Sequence, residues 1–215
     1  MIHKLHYISQ GKDTEAHLQN IKQACVSGIA CVQLRLKNVD FDTVLETAKK
    51  AREITAFYQT RLIINDFYKI AKLVNADGVH LGKNDFCPLK AREYLGKWYT
   101  IGGTANTLND CEKLVAKNVD YIGLGPFQFT KTKKELSPVL GFEGYQKIIG
   151  ALQATTPILA IGGVTLQNAT KFKNLGLYGL AVSSEITNDF NKISTFHKIL
   201  EDESTREQVY DLNKK

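Results

Sequence analysis

The stretch ACVQLRLKNVDFDTVLETAKKAREITAFYQTRLII, residues 30–64, contains one complete strand–helix–strand unit. Two short apolar runs, Ala30–Arg35 and Arg61–Ile64, flank a longer segment with helical periodicity. Within that segment, Asp42–Phe57, one helical face is apolar and carries Val44, Leu45, Ala48, Ala51 and Ile54. Short apolar runs separated by an amphipathic helix are typical of parallel strands that are buried on both faces.

The same unit recurs along the chain. Six further short apolar runs complete a set of eight predicted strands: Leu5–Ser9, Gly78–His80, Tyr99–Gly102, Tyr121–Gly123, Ile158–Ile161 and Gly179–Val182. Asp13, Asp40 and Asp66 are expected helix N-caps, and Gly28 and Gly96 are expected helix ends. Eight strands that are each followed by a helix predict one α/β domain, a single (β/α)8 barrel of the TIM type. Periodicity alone leaves an open, doubly wound sheet as the alternative.

The length of 215 residues suits one domain, with residues 1–200 as the barrel and residues 201–215 as a charged C-terminal tail. The net charge of +6 favours small anions such as phosphates as ligands, or reflects surplus lysine on a solvated surface. Nucleic acid is not an expected partner, because no basic stripe is interleaved with aromatic residues. No apolar run reaches the length of a membrane span, and a homo-oligomer is left open.

Four cysteines, Cys25, Cys31, Cys87 and Cys111, have spacings that match neither a zinc site nor a redox pair. We therefore expect buried or half-buried free thiols in a reducing compartment. The N-terminal sequence does not resemble a signal peptide, so the expected location is the cytoplasm.

A polar row follows the second predicted strand. Alternation places Gln33, Arg35 and Lys37 on one side of the chain, opposite Val32, Leu34 and Leu36. Inside a barrel mouth, an amide, a guanidinium and an ammonium in one row can hold a diphosphate. A surface strand with outward polar residues is the alternative.

Two carboxylates follow neighbouring strands. Asp66 comes after the third strand and Asp85 after the fourth, so both are expected at the same rim of the barrel. Oxygen ligands beside a phosphate-binding row favour Mg²⁺, although Asp66 could instead serve only as a helix cap. Nearby, His80 is either a packed, hydrogen-bonded histidine or a substrate contact, and Lys83 either contacts a diphosphate or is solvated.

The last strands are followed by glycine-rich and hydroxyl-bearing segments. The stretch Thr130–Gly141 has no clear secondary structure and is expected to be a mobile loop that closes over substrates. The pairs Gly162-Gly163 and Ser183-Ser184 come after strands seven and eight, where barrels commonly bind phosphate through backbone amides. A simple tight turn is the alternative for the two glycines.

In combination, the segments QLRLK, IIND, ADGVHLGKND, YIGLGPFQFTKTKK and LAIGGVT resemble the thiamine-phosphate synthase family, also called thiamine-phosphate pyrophosphorylase. The resemblance covers nearly the whole chain, from Tyr7 to Ser184. It implies a (β/α)8 barrel and a Mg²⁺-dependent transferase. The implied reaction joins hydroxymethylpyrimidine diphosphate to hydroxyethylthiazole phosphate, and its products are thiamine phosphate and pyrophosphate.

The resemblance also implies roles for individual residues. The pyrimidine diphosphate would contact Gln33, Leu34, Arg35, Leu36, Lys37, Asn65, Thr104 and Lys133. The thiazole phosphate would contact Thr130, Lys131, Thr132, Gly163, Ser183 and Ser184. Asp66 and Asp85 would hold Mg²⁺, while Arg35, Lys37 and Lys133 would act in catalysis by stabilising the departing pyrophosphate.

Two positions depart from the family pattern, because Thr104 stands where serine is usual and Lys83 where glutamine is usual.

Two other functions are alternatives to the synthase. A related thiazole tautomerase has the same barrel but a Gly-His pair where this chain has Gly125-Pro126, and proline cannot transfer a proton. A non-catalytic binder of thiamine precursors would not need the complete polar set.

Overall fold

The structure is a computed structural model that describes residues 2–129 and 138–201. All eight predicted strands are present, with boundaries that move by up to three residues. They are β1 (Leu5–Ile8), β2 (Cys31–Leu34), β3 (Arg61–Asn65), β4 (Gly78–Leu81), β5 (Thr100–Ala105), β6 (Tyr121–Leu124), β7 (Ile158–Ile161) and β8 (Gly179–Val182).

The strands close into a barrel in which each strand pairs in parallel with the next, and β8 pairs with β1. This closure confirms the predicted (β/α)8 barrel and excludes the open sheet. The register places Ile8 opposite Gln33 and Asn65 opposite His80. Residues from different strands therefore reach the same level near the carboxyl-end mouth.

Nine helices lie within the described ranges: α1 (Thr14–Val26), α2 (Phe41–Phe57), α3 (Tyr68–Leu73), α4 (Pro88–Leu95), α5 (Leu108–Ala116), α6 (Gly141–Ala151), α7 (Leu166–Asn174), α8 (Ser184–Asn188) and α9 (Lys192–Leu200). None of these helices is long and apolar enough to cross a membrane. The last one ends at Leu200, and residues 202–215 of the predicted tail lie outside the described residues.

Asp13 and Asp40 are helix N-caps as predicted, and each side chain accepts a hydrogen bond from a backbone N–H three residues later. The prediction for Asp66 was wrong, because α3 begins one residue later with Phe67 at the N-cap. Asp66 instead adopts a left-handed backbone conformation with φ of 67°. Its N–H donates to the carbonyl of His80, which joins the end of β3 to β4.

The core has two parts. A large cluster fills the space between the sheet and the helices, and it includes Val32, Leu34 and Leu36 from the outer side of the β2 segment. A smaller cluster of Ile8, Tyr121, Leu159 and Ala181 lies inside the barrel. The interior is therefore a packed layer of side chains rather than a pore, and it forms the floor beneath the barrel mouth.

Gly102 sets the width of this interior layer. A Cβ atom at Gly102 would lie 2.1 Å from Cζ of Tyr121, which is opposite it in the β5–β6 register. Tyr121 is 1% exposed and cannot swing into solvent without opening the barrel.

We therefore expect Gly102→Ala to lower the free energy of unfolding by about 2 kcal/mol, because overpacking a core costs about 1–3 kcal/mol. The matched control is Gly150→Ala in α6, where an added Cβ meets no atom within 4 Å. That change should raise stability slightly, since alanine is the better helix former. Urea titration of both variants measures this difference, and equal stabilities would contradict the packing described here.

Candidate active site

A cavity of about 830 Å³ opens at the carboxyl ends of the strands. Ten of the predicted site residues line it: Gln33, Arg35, Lys37, Asn65, Asp66, Asp85, Thr104, Gly163, Ser183 and Ser184. They come from six different strand ends, so the closed barrel is what brings them together. Residues 130–137 lie outside the described residues, and with them Thr130, Lys131, Thr132, Lys133 and most of the predicted mobile loop.

The cationic side of the cavity comes from the chain that leaves β2. Gln33, Arg35 and Lys37 all face the cavity, as the alternation predicted, and the surface-strand alternative does not hold. The Arg35 side chain is half-buried, and this burial lowers the pKa of its guanidinium while the Asp66 carboxylate opposes that shift. Leu34 and Leu36 have side chains in the outer core, so only their backbone atoms are available to a ligand.

Asp66 and Asp85 meet at the adjacent side of the cavity, and their side chains hydrogen-bond to each other. Burial, reinforced by this contact with Asp85, raises the pKa of Asp66 to about 6, although the Lys37 ammonium also contacts Asp66 and acts in the opposite direction. Burial tends to raise the pKa of Asp85 too, but hydrogen bonds from Asp66 and from the N–H of Gly82 outweigh it and lower that pKa.

A carboxylate pair in direct contact needs either a shared proton or a cation between its oxygens. Within the described ranges, no group of three or more His, Cys, Asp or Glu side chains is arranged to hold a metal ion. Two carboxylates are nevertheless what Mg²⁺ uses when phosphate oxygens and water complete its octahedron. The donor set fits a metal that arrives with a phosphorylated ligand.

His80 lies on the cavity floor, where Nδ1 is 3.0 Å from Oη of Tyr121 and Nε2 is 2.9 Å from Oγ1 of Thr104. The packed, hydrogen-bonded histidine is therefore confirmed, and the residue also faces the cavity. Asn65, in contrast, is 7% exposed and its Nδ2 has no hydrogen-bond partner. A buried amide donor without a partner is costly, so this position favours a polar ligand atom.

The far side of the cavity is formed after β7 and β8. Gly162 and Gly163 have positive φ values of 83° and 74°, which glycine adopts without strain. The side chain of Gln128 donates to the carbonyl of Gly163 at 2.6 Å. A Cβ atom at Gly163 would lie 2.4 Å from Cγ of Gln128, so both the space and the backbone conformation there require glycine.

Several cavity residues were not predicted from the sequence. Gln10 follows β1, and its Oε1 accepts from the hydroxyls of Ser183 at 3.2 Å and Ser184 at 2.8 Å. Its position directly after a strand is the signal that could have identified it. His17 lies on α1, where its Nδ1 is 2.8 Å from Oγ of Ser9, and no sequence pattern marks it.

Lys83 does not line the cavity. Its Nζ lies 2.5 Å from Oδ2 of Asp110, in the first turn of α5. The solvated alternative for Lys83 therefore holds, because its side chain is exposed and forms an ion pair with the first turn of α5 outside the cavity.

The fold and the cavity define a (β/α)8-barrel protein with an enzyme-type site at its carboxyl-end mouth, where cationic, acidic and hydroxyl groups converge. A family model described as "Thiamine monophosphate synthase" matches residues 5–186. The thiamine-phosphate synthase of Flavobacterium psychrophilum is 46% identical over 206 residues, which are 93% of this chain and 100% of that protein. The corresponding protein of Phocaeicola vulgatus is 38% identical over 92% of this chain and 96% of its own.

Among solved structures, the thiamine phosphate pyrophosphorylase from Pyrococcus furiosus superposes with a TM-score of 0.78 at 28% identity. The superposition covers 92% of this chain and 95% of that one. The chain belongs to the thiamine monophosphate synthase family and is an enzyme of the transferase class.

Lys37, which lines the cavity, and Lys83, which does not, make a direct test of this geometry. We expect Lys37→Gln to weaken binding of inorganic pyrophosphate with Mg²⁺ about tenfold, because a charge-assisted contact inside the cavity is lost. Lys83→Gln should change the affinity less than twofold, since that ammonium is already paired outside the cavity. Isothermal titration calorimetry measures the affinity of both variants. Equal weakening would show that Lys83 also contacts the bound pyrophosphate.

Proposed function

We propose that this protein is a thiamine-phosphate synthase that condenses hydroxymethylpyrimidine diphosphate with hydroxyethylthiazole phosphate. The observation that supports the proposal is that two groups of residues suited to binding anions line one cavity. One end is formed by Arg35 and Lys37 with the acidic pair, Asp66 and Asp85. The other end is formed by the Gly162-Gly163 turn with Ser183 and Ser184. The family relationship supplies the identity of the two substrates.

At the first end, Arg35 and Lys37 bind the diphosphate, and Asn65 offers it a buried amide donor. The Arg35 fork and the Lys37 ammonium stabilise the negative charge that develops as the bond between the pyrimidine methylene carbon and the diphosphate oxygen breaks. Lys133, which the family resemblance adds to this set, lies outside the described residues. Thr104 presents its hydroxyl to the pyrimidine from the cavity floor.

Asp66 and Asp85 are the residues that would hold Mg²⁺. A bound ion would supply Lewis-acid stabilisation of the diphosphate and would balance the negative charge of the two carboxylates. The left-handed backbone at Asp66 supports this role, because an uncommon conformation held at a cavity wall is typical of functional positions.

At the second end, Gly163 lines the cavity without a side chain, so its backbone can come close to the thiazole phosphate. Gln128 holds this turn through the Gly163 carbonyl, and Gln10 holds the hydroxyls of Ser183 and Ser184. These contacts fix the second phosphate so that the thiazole nitrogen can reach the pyrimidine methylene carbon. Bringing two bound reactants together in this way lowers the entropic part of the barrier.

The expected location of the protein is the cytoplasm, supported by the thiols. Cys25, Cys31 and Cys111 are buried and Cys87 is half-buried, and all four are free, as predicted. Free thiols in these positions are typical of proteins from a reducing compartment. The expected partners are the two phosphorylated small molecules.

The defining experiment mixes the purified protein with both substrates and Mg²⁺ and measures pyrophosphate and thiamine phosphate. We expect equimolar release of the two products and no acceleration of thiazole tautomerisation, because Pro126 faces the cavity where the tautomerase has its histidine. Tautomer conversion without pyrophosphate release would replace the synthase by the isomerase. Binding of both substrates without either reaction would leave a non-catalytic binder.

Metal dependence tests the acidic pair. Asp66→Asn and Asp85→Asn should each reduce turnover about 100-fold or more while the protein stays folded, since stabilisation of the leaving group is lost. Chelator should abolish the activity of the parent protein. Asp110→Asn is the matched control, because this aspartate pairs with Lys83 outside the cavity. Undiminished turnover by an Asp66/Asp85 double variant in chelator would rule out the metal assignment.

A further inference from the structure

A chain of hydrogen bonds crosses the barrel interior beneath the cavity. Tyr121 on β6 hydrogen-bonds through its hydroxyl to Nδ1 of His80 on β4 at 3.0 Å, and Gln33 on β2 acts to lower the pKa of the same phenol. His80 continues through Nε2 to Oγ1 of Thr104 on β5 at 2.9 Å. Tyr121 itself does not line the cavity, but Gln33, His80 and Thr104 all do.

Two glycines, Gly102 and Gly123, leave the space that the side chains of this hydrogen-bond series occupy. At Gly102, a Cβ atom would lie 2.5 Å from the Tyr121 hydroxyl oxygen, and at Gly123 it would lie 3.0 Å from Cε1 of His80. Tyr121, His80 and Gln33 are 1%, 4% and 3% exposed, so water has little access to compete for these bonds. Burial also raises the pKa of the Tyr121 phenol well above its usual range, which keeps the hydroxyl proton in place.

The direction of each hydrogen bond in this series is set by the two nitrogens of the His80 imidazole. A neutral histidine carries one N–H donor and one acceptor nitrogen, so it donates to one of its two hydroxyl partners and accepts from the other. A phenol is more acidic than an alkyl hydroxyl and is therefore the stronger donor. Tyr121 accordingly donates to Nδ1, His80 donates from Nε2 to Thr104, and the Thr104 proton is left to point into the cavity.

We propose that Tyr121 is a positioning residue that fixes the Nε2–H tautomer of His80 and thereby presents the Thr104 hydroxyl to the pyrimidine substrate as a hydrogen-bond donor. The substrate part of this inference rests on the proposed function. Tyr121 acts through His80, since it does not itself line the cavity in which the substrates react.

The tautomer can be observed without turnover. Two-bond ¹H–¹⁵N spectra at pH 8.5, where imidazole is ordinarily neutral, distinguish the protonated from the unprotonated ring nitrogen. His80→Gln assigns the His80 signals among the five histidines. We expect the parent protein to show one tautomer, with the proton on Nε2, and Tyr121→Phe to show both tautomers in exchange. A proton on Nδ1 in the parent would overturn the proposal, even if Tyr121→Phe failed to fold.

Steady-state kinetics provide the second readout. Tyr121→Phe should raise KM for hydroxymethylpyrimidine diphosphate about tenfold, as expected for one misdirected hydrogen bond, and should change KM for the thiazole phosphate less than twofold. Tyr145→Phe is the matched control, because it also removes a buried tyrosine hydroxyl, which donates to the carbonyl of Leu124 in the outer core. It should leave both the His80 spectrum and the ratio of the two KM values as in the parent.

The outcomes separate this inference from the function on which it rests. Equal changes in both KM values, or an unchanged His80 spectrum in folded Tyr121→Phe, would reduce Tyr121 to a packing residue. A parent protein with the Nε2–H tautomer that releases no pyrophosphate would support the hydrogen-bond chain and contradict the synthase assignment.

Discussion

Closure of the eight parallel strands is the constraint on which the rest of the structure depends. Because β8 pairs with β1, the carboxyl ends of all strands surround one mouth, and side chains far apart in sequence become neighbours. Gln10 and Ser184 illustrate this, since 174 positions separate two residues that share a hydrogen bond of 2.8 Å. The interior layer of Ile8, Tyr121 and their neighbours then sets the depth of the cavity.

The mouth of the barrel brings charges of both signs into contact, because Lys37 pairs with Asp66. Asp66 and Asp85 share a hydrogen bond beside Lys37, and Asp66 has a left-handed backbone conformation that non-glycine residues seldom adopt. Such a cluster costs folding free energy in the ligand-free protein. On the proposed function, a diphosphate that arrives with a divalent cation would neutralise both the lysine and the two carboxylates, and its binding would offset this cost.

The sequence predicted the strands well because barrel strands are buried on both faces and read as short apolar runs. It was less precise where polar residues continue a strand, so Thr104 was placed after the fifth strand although it lies within β5. Asp66 was expected to cap α3, but the bond from its N–H to His80 holds it in the preceding turn. Lys83 and Tyr121 depend on partners from other strands and loops, which no local pattern shows.

The central proposal is that Asp66 and Asp85, together with Arg35 and Lys37, hold a metal–diphosphate complex. A crystal structure of the protein grown with Mn²⁺ and pyrophosphate tests this claim most directly, because manganese is located by its anomalous scattering. We expect an anomalous peak coordinated by Asp66 and Asp85, with pyrophosphate oxygens bridging from the metal to Arg35 and Lys37. A pyrophosphate bound against Gly163 and Ser184 with no metal at the two aspartates would contradict it.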